Sequence, residues 1–149
     1  MKVVFTPSAN DFIGNTTLAT LSKNPVISDF HKNKSEGTWN NHVELGLWAD
    51  IMLIAPASAN TIAKMNAGIA DNMLLTTYLS FRNEVIIAPA MDLDMYEHKS
   101  TQRNLSQLKE DGVLVIDSEE GELASGLVGK GRMSEPENIL QYLIQYFEN

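Results

Sequence analysis

The stretch Ile51-Met52-Leu53-Ile54-Ala55-Pro56-Ala57-Ser58-Ala59-Asn60-Thr61-Ile62-Ala63-Lys64-Met65-Asn66 decides how the chain folds. Ile51–Ala55 is an apolar run without the alternation of a half-exposed strand, the pattern of a strand covered on both faces as in parallel sheets. Proline and small residues interrupt it, and Thr61–Asn66 then takes up helical spacing. Similar runs recur at Val85–Ala88 and Val113–Ile116 and, upstream, at Lys2–Thr6. Helical patterns at Thr16–Ser22, Asn41–Ala49, Asp71–Ser80 and Thr101–Asp111 lie between the runs, with Gly112 placed to stop the last. This alternation predicts an α/β domain built on an open parallel sheet with helices on both faces. A closing helix is expected after Ser134, where Ser134 and Glu137 have capping-box spacing around Pro136 and Ile139, Leu140, Leu143, Ile144 and Phe147 follow at helical intervals. Ser28–Asn41 and Ser118–Met133 read as irregular segments, long for simple connections and therefore expected to carry function.

Composition narrows the function classes. The 149 residues suit one domain with one core, and 44% hydrophobic with 20% charged residues is the balance of a folded chain. Nineteen acidic against 11 basic residues give a net charge of −8, which repels a nucleic-acid backbone. With no cysteine there is no disulfide, thiolate metal site or cysteine nucleophile, and a reducing, cytoplasmic setting is expected. No window approaches the ~20 apolar residues of a membrane span, and the first residues lack a secretory pattern.

In an open parallel sheet, ligands bind beyond the carboxyl ends of the strands. The loops concerned are Thr6-Pro7-Ser8-Ala9, Pro56–Thr61 and Pro89–Met95. Ser58–Thr61 opens a helix, so it either holds an anion or the polar edge of a cofactor, or Asn60 merely caps the helix. His42 is the candidate general base near neutral pH, with a structural histidine as the alternative. His42-Val43-Glu44 has the H-x-E form of zinc deaminases, whose cysteine ligands this chain lacks. His31, His42 and His98 have no metal-binding spacing. Gly121–Arg132, with four glycines and two cations, suits a flap over an anionic substrate or else a plain surface loop. It is not a P-loop. Asp92 and Asp94 are paired or merely solvated acids, and Met91 and Met95 are expected to pack.

Taken together, Thr6–Phe12 (TPSANDF), His42–Asp50 (HVELGLWAD), Ala55–Met65 (APASANTIAKM), Gly68–Asn72 (GIADN), Ala88–Met91 (APAM) with Met95, and Gly129–Pro136 (GKGRMSEP) closely resemble the flavin-dependent cysteine decarboxylases over nearly the whole chain. The branch in question acts on 4′-phosphopantothenoylcysteine in coenzyme A biosynthesis. The resemblance implies a flavodoxin-like (Rossmann-like) fold and FMN held by Thr6, Pro7, Ser8, Phe12, Ser58, Ala59, Asn60, Thr61 and Ala90. It makes His42 the proton acceptor, places Ser125 at the family's proton-donating position, and puts Asp92, Met95, Glu122, Leu123 and Ala124 on the substrate. The implied chemistry is oxidation of the cysteine moiety to a thioaldehyde, loss of CO2, and reduction of the resulting enethiol to give 4′-phosphopantetheine. A small-molecule substrate and a homo-oligomer, a trimer or a multiple of trimers, are implied as well.

The chain departs from the family pattern in three places. Asp92 replaces an asparagine that donates to the substrate carboxylate, and an ionised Asp has no donor. Ser125 replaces a cysteine, a much stronger acid. Family members also carry a strand, a glycine-rich phosphate loop and a helix ahead of the segment that starts here at Met1, so a domain spanning 1–149 is expected to be incomplete at its N-terminus. Two alternatives stay open: a non-catalytic FMN-binding homologue acting as a regulatory module, and a lantibiotic-type peptidyl-cysteine decarboxylase.

Overall fold

The computed structural model describes residues 1–148. In chain order the elements are a 3-10 turn (Pro7–Asp11), α1 (Asn15–Ser22), β1 (His31–Asn33), β2 (Thr38–Trp39), α2 (His42–Trp48), β3 (Ile51–Ala57), α3 (Ala59–Asn66), α4 (Met73–Leu79), β4 (Glu84–Pro89), α5 (Leu93–Glu97), α6 (Lys99–Glu110), β5 (Leu114–Val115), β6 (Glu119–Glu122), β7 (Val128–Arg132) and α7 (Pro136–Glu148). They fall into two units, Met1–Ala49 with Gly68–Arg82, and Asp50–Ala67 with Asn83–Asn149.

In the first unit α2 packs on α4, burying Leu45 and Gly46 on one helix and Met73, Leu74, Leu75 and Thr77 on the other. Gly46 is the point of closest approach, since a Cβ there would lie 2.9 Å from the Ser80 carbonyl oxygen. Lys2–Thr6, expected as a strand, forms only an isolated parallel bridge between Val4 and Ile27. Its two ladder bonds are Ile27 N–H to Val3 O at 3.0 Å and Phe5 N–H to Ile27 O at 2.8 Å. Within this unit the segment meets a single residue of extended backbone, and a strand is defined by the partner it pairs with. The region 28–41, expected to be irregular, contains the antiparallel pair β1–β2, with His31 opposite Trp39.

The second unit holds the parallel sheet in the order β3-β4-β5. The register pairs Leu53 with Ile86 and Ile54 with Ile87, and then Ile87 with Val115. As the central strand, β4 is buried from Val85 to Pro89, as its unbroken apolar run requires. Ile86 and Ala88 point to one face and pack with Ile116 and with Ile139 of α7. Val85 and Ile87 therefore point to the opposite face, and α3 and α6 pack together with Ile62, Met65, Leu105 and Leu108 buried. Each fully buried side chain of this size contributes roughly 1.5–3 kcal/mol. The expected α/β architecture is thus formed, although the strand expected at Val113–Ile116 shortens to Leu114–Val115. Gly112, with a φ of +93°, ends α6 as expected.

Two local expectations are corrected. Residues 118–133 are not irregular, because β6 and β7 pair antiparallel from Glu119–Arg132 to Glu122–Val128. The Ser134–Glu137 capping box does not form either. The Glu135 carbonyl accepts the first helical bonds, from Asn138 N–H and Ile139 N–H, so the helix starts one residue later than that spacing assumes. Ser134 instead donates its hydroxyl to Glu119, which caps α7 from the neighbouring hairpin.

Candidate functional site

In the first unit, Thr6 precedes the 3-10 turn and Ala9 N–H closes onto its carbonyl at 3.0 Å. Pro7 and Ser8 are exposed, and the Phe12 ring is 89% exposed. His42 opens α2. Asn41 caps that helix, its side-chain oxygen accepting from Val43 N–H at 3.0 Å and Glu44 N–H at 3.3 Å. The cap fixes the direction in which the imidazole leaves the helix, and the Trp39 ring lies tilted beside it with centroids 5.9 Å apart. His42 Nδ1 is buried and has no hydrogen-bond partner among the described residues. Buried nitrogens of this kind are normally satisfied, so an unsatisfied one needs an explanation.

In the second unit, β3 runs into Ser58 and α3. Ser58, not Asn60, caps α3: its hydroxyl oxygen accepts from Thr61 N–H at 3.3 Å and the hydroxyl lies 3.2 Å from Thr61 Oγ1. Asn60 is exposed. The amides of Ala59 and Asn60, at the first two helical positions, lack intrahelical acceptors. At the end of β4, Ala90 N–H donates to Ala57 O at 3.0 Å, which brings Ala90 beside the Ser58–Thr61 turn.

The chain then turns through Met91 and Asp92 into α5. Asp92 sits at the cap position without capping through its side chain. Met95, expected to pack, is half exposed, because a five-residue helix offers little surface to cover it. The β6–β7 hairpin docks on this turn. Met91 N–H donates to Gly131 O at 3.0 Å, and a Cβ on Gly129 would lie 2.9 Å from the Leu93 methyls. At the hairpin's foot, Ser118 Oγ donates to Pro89 O at 3.1 Å, a buried bond. At its tip, Leu123 is buried while Ala124 and Ser125 are exposed. The tip is closed by Leu123 N–H to Leu127 O and Gly126 N–H to Leu123 O, both 2.8 Å, and Gly126 adopts a φ of +85°. Among the described residues, Ser125 Oγ receives only a long 3.4 Å bond from Leu127 N–H. Glu122 is exposed opposite Val128.

The structure therefore gathers Ser58–Thr61, Ala90, the Asp92 turn and the hairpin bearing Ser125 at the carboxyl end of one sheet. Thr6–Phe12 and His42 belong to the other unit. Sequence reasoning missed Ser118, Glu119 and Gly131, which anchor the hairpin. Only Gly131, in the Gly-Lys-Gly string, left a readable trace. No group of three metal-ligating side chains occurs among the described residues.

An open parallel α/β sheet with exposed polar turns after its strands and a docked hairpin over them defines a small-molecule or cofactor-binding domain of the doubly wound class. The flavoprotein family model matches residues 1–148, and the chain belongs to that family. Among curated relatives it is 63% identical over 131 residues to a cysteine/cysteine sulfinic acid decarboxylase from an unknown prokaryotic organism, covering 88% of this chain and 36% of that protein. It is 44% identical over 147 residues to the coenzyme A biosynthesis bifunctional protein CoaBC of Bacillus subtilis (strain 168), covering 99% and 36%. It is 41% identical over 143 residues to the probable phosphopantothenoylcysteine decarboxylase of Streptococcus mutans, covering 95% and 79%. The chain thus spans about a third of the length of the first two relatives. Among solved structures, a PPC decarboxylase mutant complexed with pantothenoylaminoethenethiol superposes with a TM-score of 0.88 at 31% identity, covering 99% of this chain and 83% of that one. The FMN-dependent cysteine decarboxylase SpaF gives 0.79 at 32% identity, covering 97% and 78%.

Proposed function

We propose that this chain is an FMN-dependent decarboxylase acting on a cysteine carboxylate, and that its substrate is 4′-phosphopantothenoylcysteine, converted to 4′-phosphopantetheine. The observation that carries the reading is the buried His42 Nδ1, an imidazole nitrogen held in place by a capped helix and without a hydrogen-bond partner among the described residues. The Streptococcus mutans relative and the superposable PPC decarboxylase support the substrate.

The residues present fit a flavin. The open amides of Ala59 and Asn60, the Ser58 hydroxyl and the adjacent Ala90 offer donors and close backbone approach to a flat, polar-edged group. Thr6, Ser8 and Phe12 are further candidate contacts, supported by the resemblance of Thr6–Phe12 to the family and by the exposure of Ser8 and Phe12. When bound, FMN would supply the two-electron oxidation at the sulfur-bearing carbon that labilises the carboxylate and, once CO2 has left, would return the two electrons to the product. His42 takes up the proton released as the substrate is oxidised. Asp92 and Met95 meet the substrate's carboxyl end, and the hairpin residues Glu122, Leu123 and Ala124 cover it. Ser125 relays a proton to the product. Homo-oligomeric assembly belongs to this reading and is supported by Val43, Leu47 and Trp48, exposed on α2.

The 63% identical relative favours a second reading, in which the substrate is unextended cysteine or cysteine sulfinic acid. CO2 release from 4′-phosphopantothenoylcysteine, cysteine and cysteine sulfinate by the FMN-loaded protein separates the two readings. The first predicts turnover of the phosphopantothenoyl substrate at least tenfold above the others. His42→Asn is expected to keep its flavin absorbance and lose about 100-fold or more in CO2 release. Normal turnover in that variant overturns the general-base assignment, and no CO2 from any substrate would leave a non-catalytic flavin-binding module.

A further inference from the structure

The Glu119 side chain of the second unit accepts three hydrogen bonds, and nothing in the proposed chemistry uses it. A single oxygen, Oε1, accepts from Ser134 Oγ at 2.7 Å, Asn138 Nδ2 at 2.9 Å and Glu135 N–H at 3.3 Å. Two of these donors lie at the entry to α7 and the third in its first turn, while Glu119 itself is the first residue of β6. Arg132, opposite Glu119 in the ladder, pairs with Glu135, so of the two acidic side chains at the start of α7, Glu135 and Glu137, the one beside the clasp is engaged by a cation. These bonds also hold the Glu119 carboxyl below its ordinary pKa, with the Ser134 hydroxyl the largest cause and Arg132 a smaller one.

The position of this clasp matters because the hairpin is fixed at only a few points. Its foot is held by the buried Ser118–Pro89 bond and the Glu119 cluster. Along β7 it is held by the Met91–Gly131 bond and by Leu93 against Gly129. Its far end carries Leu123, Ala124 and Ser125, and the turn it docks on carries Asp92. Without the clasp, this end of the hairpin would keep the Ser118–Pro89 bond and the Arg132–Glu135 pair but would lose the three bonds that join β6 itself to the entry of α7.

We infer that Glu119 is a positioning residue: by clasping the foot of β6 to the start of α7 it sets the hairpin so that Ser125 and the Asp92 turn are presented together to the substrate. The functional half of this assignment rests on the reading of the hairpin as part of the substrate site. The structural half stands without it.

The test uses two variants. Glu119→Ala removes all three acceptor bonds. Glu119→Gln keeps an acceptor oxygen at the same place and loses only the charge, which weakens such bonds by about half. Hydrogen exchange is read first, because it needs no substrate. Amides of residues 119–132 are expected to exchange at least tenfold faster in Glu119→Ala and less than threefold faster in Glu119→Gln, with those of β3 and β4 unchanged. Unchanged hairpin exchange in Glu119→Ala overturns the clasp. Exchange accelerated equally throughout the unit overturns it too, since that reports global destabilisation. Steady-state turnover is read second, with whichever cysteine substrate the wild type decarboxylates. KM is expected to rise about tenfold in Glu119→Ala at unchanged flavin content and to return to within threefold of wild type in Glu119→Gln. A looser hairpin with wild-type KM overturns the positioning role. A looser hairpin in a protein whose wild type turns over no substrate overturns the proposed function and the positioning role, and leaves the clasp.

Discussion

Gly131→Ala is expected to separate the hairpin from the turn that carries Asp92. Gly131 has a φ of +143° and lies directly against the Met91 carbonyl oxygen, to which a Cβ would come far inside van der Waals contact. Holding a non-glycine residue in such a region costs about 1–3 kcal/mol. The oxygen in the way belongs to the backbone, so it cannot swing aside as a side chain would. Relieving the clash moves β7 away and loses the Met91 N–H to Gly131 O bond, which removes about 1 kcal/mol more. The sum is about 3 kcal/mol. Gly126→Ala is the matched control, because Gly126 also has a positive φ, +85°, but nothing lies within 4 Å of where its Cβ would be. Its cost is the left-handed strain alone, about 1–2 kcal/mol. For a domain of this size each kcal/mol is worth roughly 2–4 °C in Tm, so Gly131→Ala should melt several degrees below Gly126→Ala when both are followed by circular dichroism. Equal melting temperatures would refute the argument, and would mean that the Met91–Gly131 contact does not hold the hairpin.

Asp92→Asn puts an amide donor where an ionised carboxylate would repel a substrate carboxylate, and titration calorimetry should show binding tightened about tenfold at neutral pH; unchanged affinity would remove Asp92 from the carboxylate site. Because the Glu119 pKa is depressed by folding, its contribution to stability is present above its ordinary value of 4.5 and is lost as pH falls through the lower folded value; urea midpoints of Glu119→Gln should therefore depend less on pH in that acid range than those of wild type. Gly46→Ala should destabilise the α2–α4 packing by about 1–3 kcal/mol, since its Cβ meets the Ser80 carbonyl, and a wild-type melting curve would argue against that packing.

The parts of this protein readable from sequence are those set by local chemistry. The unbroken apolar runs Ile51–Ala55 and Val85–Ala88 become neighbouring strands of one parallel sheet, but only the central strand β4 is buried on both faces as that pattern implies; in β3, at the end of the strand order, Leu53 and Ala55 are exposed. Gly112 stops α6 because a positive φ suits glycine, and His42 opens a helix because Asn41 precedes it with a capping side chain. Side chains that act through distant partners could not be read in this way. The Ser134–Glu137 spacing is a valid local cap, yet Ser134 turns to Glu119, 15 residues earlier, because pairing β6 with β7 brings a charged acceptor to the helix entry and a charge-assisted bond prevails over a neutral one. Lys2–Thr6 has the composition of a strand, but only the backbone alongside a segment decides whether it becomes one. Asn60 and Ser58 are both acceptable caps by residue type, and the turn after β3 decided for Ser58. Sequence alone thus determined which residues prefer strand, helix or turn, because those preferences act within a few residues. Tertiary structure decided which polar groups find partners, because a hydrogen bond depends on distance in space and the chain's own order does not encode that distance.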